Sequence, residues 1–443
     1  MTTLDVAKAR KAFPALSSTF IYADNAGGSQ CLADAAARIS DYLLHTNVQL
    51  GADYAVSVAS TGRVAAGAEA ARELFNAESV DEVAFGSSAT MLVENLARAM
   101  EIDVHAGDEL IITGEHEANG GPWKRLAARR GATIKTWNAS HISAYPNNPY
   151  AVSLQLDDLL PLISTKTRLV AFTGCSNILG SIVPVKEVVQ AVRRRAKELG
   201  AGKVEVCVDC VAYAPHRRMD VRDWDVDYCV FSMYKASYSI WLRRPTEVQL
   251  MQVYGPHASV LYTRTTSLRQ SLSSLAHHFL APQVVLKPYK LQPGGPGYEV
   301  VYGCTAVPVY LRSLTPSSSL EDAFDAIAKH EQTLIAPLLA YLRSKESRGV
   351  RIVGDEGESL NRVPTISFVV IGKRAMRSSD VVRGFDEREE IGIRYGHFYA
   401  YTLVDTLEPR LETEDGVVRI SLVHYNTVDE VDRIIETLEE TLA

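Results

Sequence analysis

The chain has 443 residues, 47% of them hydrophobic and 22% charged, with a formal net charge of −7. That length supports two or three domains with a large core, and the negative balance speaks against nucleic-acid or anionic-membrane surfaces, which need basic patches. The first residues, MTTLDVAKARKAF, lack the apolar core of a signal peptide, no apolar run approaches a membrane span, and six cysteines in so long a chain make no disulfide framework.

A reducing, cytoplasmic setting is therefore expected. From about residue 18 to 265, short apolar strands alternate with amphipathic helices. Helices are predicted over Leu32–Leu44 and Arg63–Phe75. Strand Glu82–Phe85, helix Thr90–Met100, strand Glu109–Thr113, helix Pro122–Arg130 and strand Thr133–Trp137 come next. Strand Arg168–Thr173, helix Val185–Leu199 and strands Val204–Val208, Tyr228–Phe231 and Ser259–Thr263 complete the series. Such alternation implies a mainly parallel sheet covered by helices on both faces, with ligands at the carboxyl ends of its strands. After the Pro/Gly segment Gln292–Gly297 the character changes. A long helix over Leu320–Leu342 precedes strands Val350–Val353, Thr365–Val370 and Val417–Leu422. A terminal helix, Val428–Leu442, aligns Val428, Val431, Ile435, Leu438 and Leu442 on one face. The expected division is an amino-terminal arm (1–17) joining the small domain, a large domain (18–309) and a smaller α+β domain (310–443).

Several strand ends carry chemistry. The stretch DYCVFSMYK, Asp227–Lys235, delivers Lys235 just past an apolar strand, where partial desolvation makes its neutral amine accessible as a Schiff-base nucleophile. Asp209 ends the neighbouring apolar strand, VCVD. An aspartate for a pyridine nitrogen and a lysine for an aldehyde are the pair that binds pyridoxal phosphate. FGSSAT, Phe85–Thr90, reads as strand, small-residue turn and helix start, which serves as either a phosphate cradle or a plain helix cap. GEHEANGGPW puts His116 after a strand, either functional or as a hydrogen-bonded core histidine. CSNILG puts Asn177 after another, where a turn-forming role is the alternative. Arg419 lies inside an apolar strand, so an internal acid or a carboxylate substrate must meet it. Cys207 and Cys210 have CxxC spacing but fall on opposite faces of a strand with no second pair, so no metal site is expected.

Together and in this order, these stretches resemble the class V aminotransferase family of fold type I pyridoxal-phosphate enzymes, specifically its cysteine desulfurase-like branch. The resemblance runs from YADNAGGSQ (Tyr22–Gln30) through YGHFYAYTLVD (Tyr395–Asp405) to LVHYNTVDEVDRI (Leu422–Ile434). It implies that Lys235 holds the cofactor and shuttles protons at the substrate Cα, while Asp209 pairs with the pyridinium nitrogen. It further implies that His116 stacks on the ring and that Ala89, Thr90, Ser232 and Tyr234 hold the phosphate. Asn177 would contact the ring oxygen or the substrate. Arg419 would clamp the substrate carboxylate bidentately, with Ala26 beside it. A small amino-acid substrate, a homodimer and desulfurase-like C–S bond cleavage follow as expectations.

Three departures qualify the resemblance. The loop that in desulfurases carries a persulfide-forming cysteine reads Arg394-Tyr-Gly-His-Phe-Tyr399, and the last cysteine of the chain is Cys304. Ala212 stands where a cofactor-bonding Gln or His is usual, three residues after Asp209. Tyr298–Thr305 replaces a Gly-Thr pair that would contact the partner subunit's cofactor phosphate. The last two departures are similar to fungal secondary-metabolism members, which implies decarboxylative C–C bond formation as an alternative beside transamination.

One segment fits none of this. Relatives run from the lysine almost directly into a GPH turn, whereas here Ala236–Gln252, seventeen residues, separate Lys235 from Val253-Tyr-Gly-Pro-His257. A lid or substrate loop is one reading. An in-frame retained intron is the preferred one, because removing the segment restores YKVYGPH. A non-catalytic fold relative, impaired by the insertion, is the alternative from another functional class.

Overall fold

The central strands are apolar on both faces, as strands covered by helices on two sides must be. The computed structural model describes residues 3–233, 254–280 and 288–443. Among these, seven strands form the large sheet in the order Val83–Gly86, Ser259–Thr263, Tyr228–Ser232, Glu205–Asp209, Thr167–Thr173, Glu109–Thr113 and Thr133–Trp137. Ser259–Thr263 runs antiparallel to both its neighbours, and the remaining pairings are parallel. Val83–Gly86 therefore runs the same way as the five parallel strands, and all six end on one edge.

Two apolar clusters cover the opposite faces of this sheet. Cys207 belongs to one and Cys210 to the other, the outcome that strand alternation dictates. Helix Val185–Leu199 buries Val185, Val188, Val189, Val192 and Ala196 against the sheet and ends at Gly200, whose φ of 73° a side chain would resist. On the same helix Arg193 donates to the Val204 carbonyl at 2.5 Å and to Asp227 at 2.7 Å.

A second, antiparallel sheet has the order Val350–Val353, Thr365–Val370, Val417–Ser421 and Arg394–Gly396. Its core includes Ile434 and Leu438 of the terminal helix Val428–Thr441 and Leu442 just past its end. Of the expected stripe, Val431, Leu438 and Leu442 are buried there and Ile435 packs against it, Ile434 joins them, and Val428, the first helical residue, is exposed. Helix Leu320–Ser344 links the two bodies. Its first half, through Ile327, packs with the large-sheet cluster, and its second half, from Leu334, packs with the small sheet. The amino-terminal segment ties in on both sides: Phe13 packs with the large cluster, and Arg10 bonds Glu430 at 2.9 Å. Ile21–Tyr22 then pairs with Ile391–Gly392.

Candidate active site

The carboxyl ends of the parallel strands converge on a cavity with about 530 Å³ of empty space, part of it open to solvent. Ala89, Thr90, His116, Asn177, Asp209 and Ser232 all line it. Six of the residues expected from sequence, drawn from five chain segments, therefore meet in one place.

At one end stands the helix Ala89–Ala99. Its cap, Ser88, keeps an extended backbone, and its hydroxyl accepts the Met91 N–H at 3.1 Å. The first N–H groups of a helix have no intrahelical acceptor, and the dipole there favours an anion. An eleven-residue helix aimed this way, with the Thr90 hydroxyl beside it, is a phosphate-binding geometry. The Ser232 hydroxyl pairs with that of Ser259 at 2.8 Å. A hydroxyl has one donor and two acceptor sites, so the pair retains a proton for an anion.

At the other end Asp209 closes its strand and is buried, with Oδ1 accepting the Val211 N–H at 2.9 Å. Ala212 adds only a methyl to the wall. His116 follows the strand Glu109–Thr113, and its Nδ1 accepts the Ala118 N–H at 3.2 Å. That bond puts the proton of the neutral imidazole on Nε2. Asn177 is buried, donates Nδ2 to the Phe398 carbonyl at 3.0 Å, and leaves Oδ1 buried with no hydrogen-bond partner. A buried acceptor in that state suits a bound group carrying N–H or O–H. An anion cradle, a buried acid, a flat imidazole and an unsatisfied acceptor around one cavity fit a phosphorylated pyridine and an amine substrate. Pyridoxal phosphate matches the residues present.

The arginine end differs from the simple clamp. Arg419 is only 1% exposed, and its Nη2 reaches Asp24 Oδ1 at 2.8 Å while Nη1 donates to the Asn177 carbonyl at 3.2 Å. Its guanidinium lies 3.7 Å from the Phe398 ring centre, and Nε has no partner. Of the two partners that sequence allowed for this residue, the internal acid is present. A second arginine, Arg394, sits directly across the strand pair, 35% exposed and 3.6 Å from Asp24 Oδ2. Ala26 donates its N–H to Ser421 Oγ at 2.7 Å, one strand alternation beyond Arg419. Tyr234, Lys235 and the segment Ala236–Gln252 lie outside the described residues.

Sequence reasoning passed over Asp24, Arg394 and Glu115. Glu115 is buried beside His116, accepts the Ser176 hydroxyl at 2.8 Å and leaves Oε1 without a partner. Burial, offset in part by Ser176 and reinforced by the nearby Asp209, pushes its carboxyl up to about 7. Arg394 lay in the stretch already singled out, and only the pairing register brings it opposite Arg419. Cys175 also lines the cavity, but its burial raises the thiol well above the usual range, so thiolate is scarce there.

The family profile described as Aminotransferase class-V matches residues 21–239 and 259–434, breaking across 240–258. Aminotransferase-like protein FGM3 of Gibberella zeae is 39% identical over 100% of this chain and 99% of its own length. Cysteine desulfurase-like protein ustD of Aspergillus flavus is 31% identical over 99% of this chain and 90% of its own. Among solved structures, the apo cysteine desulfurase of Thermococcus onnurineus has a TM-score of 0.79 at 21% identity, covering 100% of this chain and 99% of that one. The cysteine desulfurase CsdA of Escherichia coli has a TM-score of 0.78 at 21% identity, with the same coverage. The two structures speak for the fold.

Proposed function

The chain belongs to the class-V aminotransferase family and is a pyridoxal-phosphate-dependent enzyme of fold type I, and from that premise we propose a cysteine desulfurase-like C–S lyase acting on a small α-amino acid. The observation that carries the reading is the single cavity at the strand ends, lined by Ala89, Thr90, His116, Asn177, Asp209 and Ser232. When bound there, the cofactor supplies an electron sink for bonds at the substrate α-carbon.

The chain's own groups divide the remaining work. Ala89, Thr90 and Ser232, with Tyr234, hold the phosphate, and the buried Asp209 keeps the pyridine nitrogen protonated. His116 lies against the ring and presents Nε2–H. Asn177 orients the substrate amine or the ring oxygen through Oδ1. Arg419 and Ala26 face the substrate carboxylate, with Arg394 offering the more accessible guanidinium. Lys235 carries the cofactor aldehyde and moves the proton at the substrate Cα. With cysteine, the Cβ–S bond breaks with its electron pair on sulfur, and cysteine plus water gives sulfide, pyruvate and ammonia. Because the Arg394–Tyr399 loop contains no cysteine and the Cys175 thiol is held protonated, the sulfur leaves as sulfide rather than onto the protein.

A second reading, transamination or decarboxylative C–C bond formation, is favoured by the 39% identity to a protein described as aminotransferase-like. We further propose a cytoplasmic homodimer organised as arm 1–17, large domain 18–309 and small domain 310–443. Exposed Leu43, Leu44, Tyr54, Val56 and Val58 around two helix ends support the dimer. Among the described residues no helix is long and apolar enough to cross a membrane.

The test is to titrate purified protein with cysteine, cystine, aspartate and alanine, following the visible cofactor band together with sulfide, pyruvate and CO₂. The expected outcome is a band that Lys235→Ala abolishes, with sulfide and pyruvate from cysteine. CO₂ from aspartate, or amino-group transfer from alanine, would replace this reading with the second. No band, even after added pyridoxal phosphate, would defeat both.

A further inference from the structure

Left-handed backbone is uncommon for residues other than glycine, and two in succession are strained unless their surroundings hold them. Among the described residues, Asn76, Asp225, Tyr254, Ser318 and Glu389 take positive φ singly, whereas Phe398 and Tyr399 do so consecutively, at 49° and 61°. What holds this pair is the active site itself. Asn177 Nδ2 donates to the Phe398 carbonyl at 3.0 Å, and the Glu117 N–H donates to the Tyr399 carbonyl at 2.8 Å. Tyr399 N–H reaches His397 Nδ1 at 3.2 Å, and Leu403 N–H reaches the Gly114 carbonyl at 2.9 Å. The Phe398 ring is pinned beneath Arg419. The strap is therefore stitched to both flanks of His116 and to Asn177. Its product is the placement of one side chain: the Tyr399 ring stands 5.6 Å from the His116 ring, tilted by 40° and 40% exposed.

We propose that Tyr399 is a specificity-determining residue, its ring the outer wall that limits the substrate to a short side chain. This rests on the reading that the cavity below His116 holds cofactor and amino acid. The backbone that carries the wall is fixed by four hydrogen bonds and a buried arginine against the neighbouring Phe398. A longer side chain leaving the cavity past His116 meets this aromatic face. Packing at such a wall discriminates by roughly ten- to two-hundredfold per methylene.

The test uses holoenzyme with Tyr399→Ala, Tyr399→Phe and Tyr399→Trp. For each, the concentrations of alanine and norvaline that half-saturate the change in the visible cofactor band are measured. Removal of the ring should improve norvaline relative to alanine by at least about tenfold. Phenylalanine at 399 should keep the parent ratio, and tryptophan should shift it the opposite way. An unchanged ratio in Tyr399→Ala, with parent-like circular dichroism and melting temperature, would overturn the proposal. So would a Phe variant that behaves like the Ala variant, since the hydroxyl and not the ring would then decide. A parent protein whose band responds to no amino acid defeats the underlying assignment of the cavity as well, which separates the two failures.

Discussion

Glu115 shows how a single buried atom sets a pH dependence. Its carboxyl is raised from 4.5 to about 7, chiefly by burial, so between those values the folded protein binds a proton that the unfolded chain has released. Stability is then highest below the unfolded pKa and falls as pH rises toward 7. Glu115→Gln keeps an acceptor for Ser176 and cannot ionise. Relative to the parent, its stability to urea should rise by up to about 3 kcal/mol between roughly pH 5 and pH 8. A pH-independent difference would show that Glu115 is charged throughout. At this scale the sequence was partly legible. Asp209, His116 and Asn177 could be found because each follows an apolar strand, where ligands of such sheets sit. Arg419 announced its need for an anion, yet its partner Asp24 lies 395 residues away along the chain, and nothing local points to it. Glu115 was hidden by its neighbour, since adjacent residues after a strand give no sign of which one turns inward.

The elements themselves followed from periodicity wherever apolar runs were strong. Strands Glu109–Thr113, Thr133–Trp137, Ser259–Thr263, Val350–Val353 and Thr365–Val370, and helix Val185–Leu199, have their expected ends. Helix Ala55–Phe75 begins eight residues before the expected Arg63, in a stretch, AVSVASTG, whose Val, Ser, Thr and Gly are weak helix formers and so gave no helical signal. Short helices Tyr298–Gly303 and Ala306–Ser313 were not expected, the second containing Pro308. The first forms in the groove between two longer helices, where Gly67 lets Val301 approach so closely that a Cβ would lie 2.3 Å from the Val301 carbonyl oxygen. At the opposite end of the sheet from the cavity, Arg168 ties strands together. It contacts Asp103 and, at 2.9 Å, Glu205, whose Oε2 also accepts the Tyr228 hydroxyl at 2.9 Å. Burial alone would raise the Glu205 carboxyl, but Arg168, Ser271 and Lys203 hold it below the usual range. The stability it contributes is therefore present above the unfolded pKa and is lost on acidification. Arg168→Met leaves that carboxylate buried without its cation and should cost about 3–5 kcal/mol in urea unfolding, with the visible cofactor band unchanged. A cost near zero would mean that Lys203 and Tyr228 suffice.

On the scale of the whole molecule, two sheets with separate cores are bridged by helix Leu320–Ser344 and by the amino-terminal segment, and the family profile covers almost all of both. The interruption falls at 240–258, overlapping the seventeen residues that follow Lys235. A variant that joins Lys235 to Val253 should bind pyridoxal phosphate at least about tenfold more tightly than the full chain, read by titrating the apoproteins. Equal affinity would identify the segment as a native loop. Sheet class and the strand-end positions were legible from patterns within ten or so neighbouring residues, and the cofactor chemistry from the order of those stretches along the chain. Only the tertiary structure decided which acid meets Arg419, that Arg394 stands opposite it, and that a strained strap sets Tyr399 beside His116. Asp24 and Arg419, and His116 and Tyr399, lie hundreds of residues apart, and Arg394 meets Arg419 only through strand register, so packing rather than any local preference chooses all three.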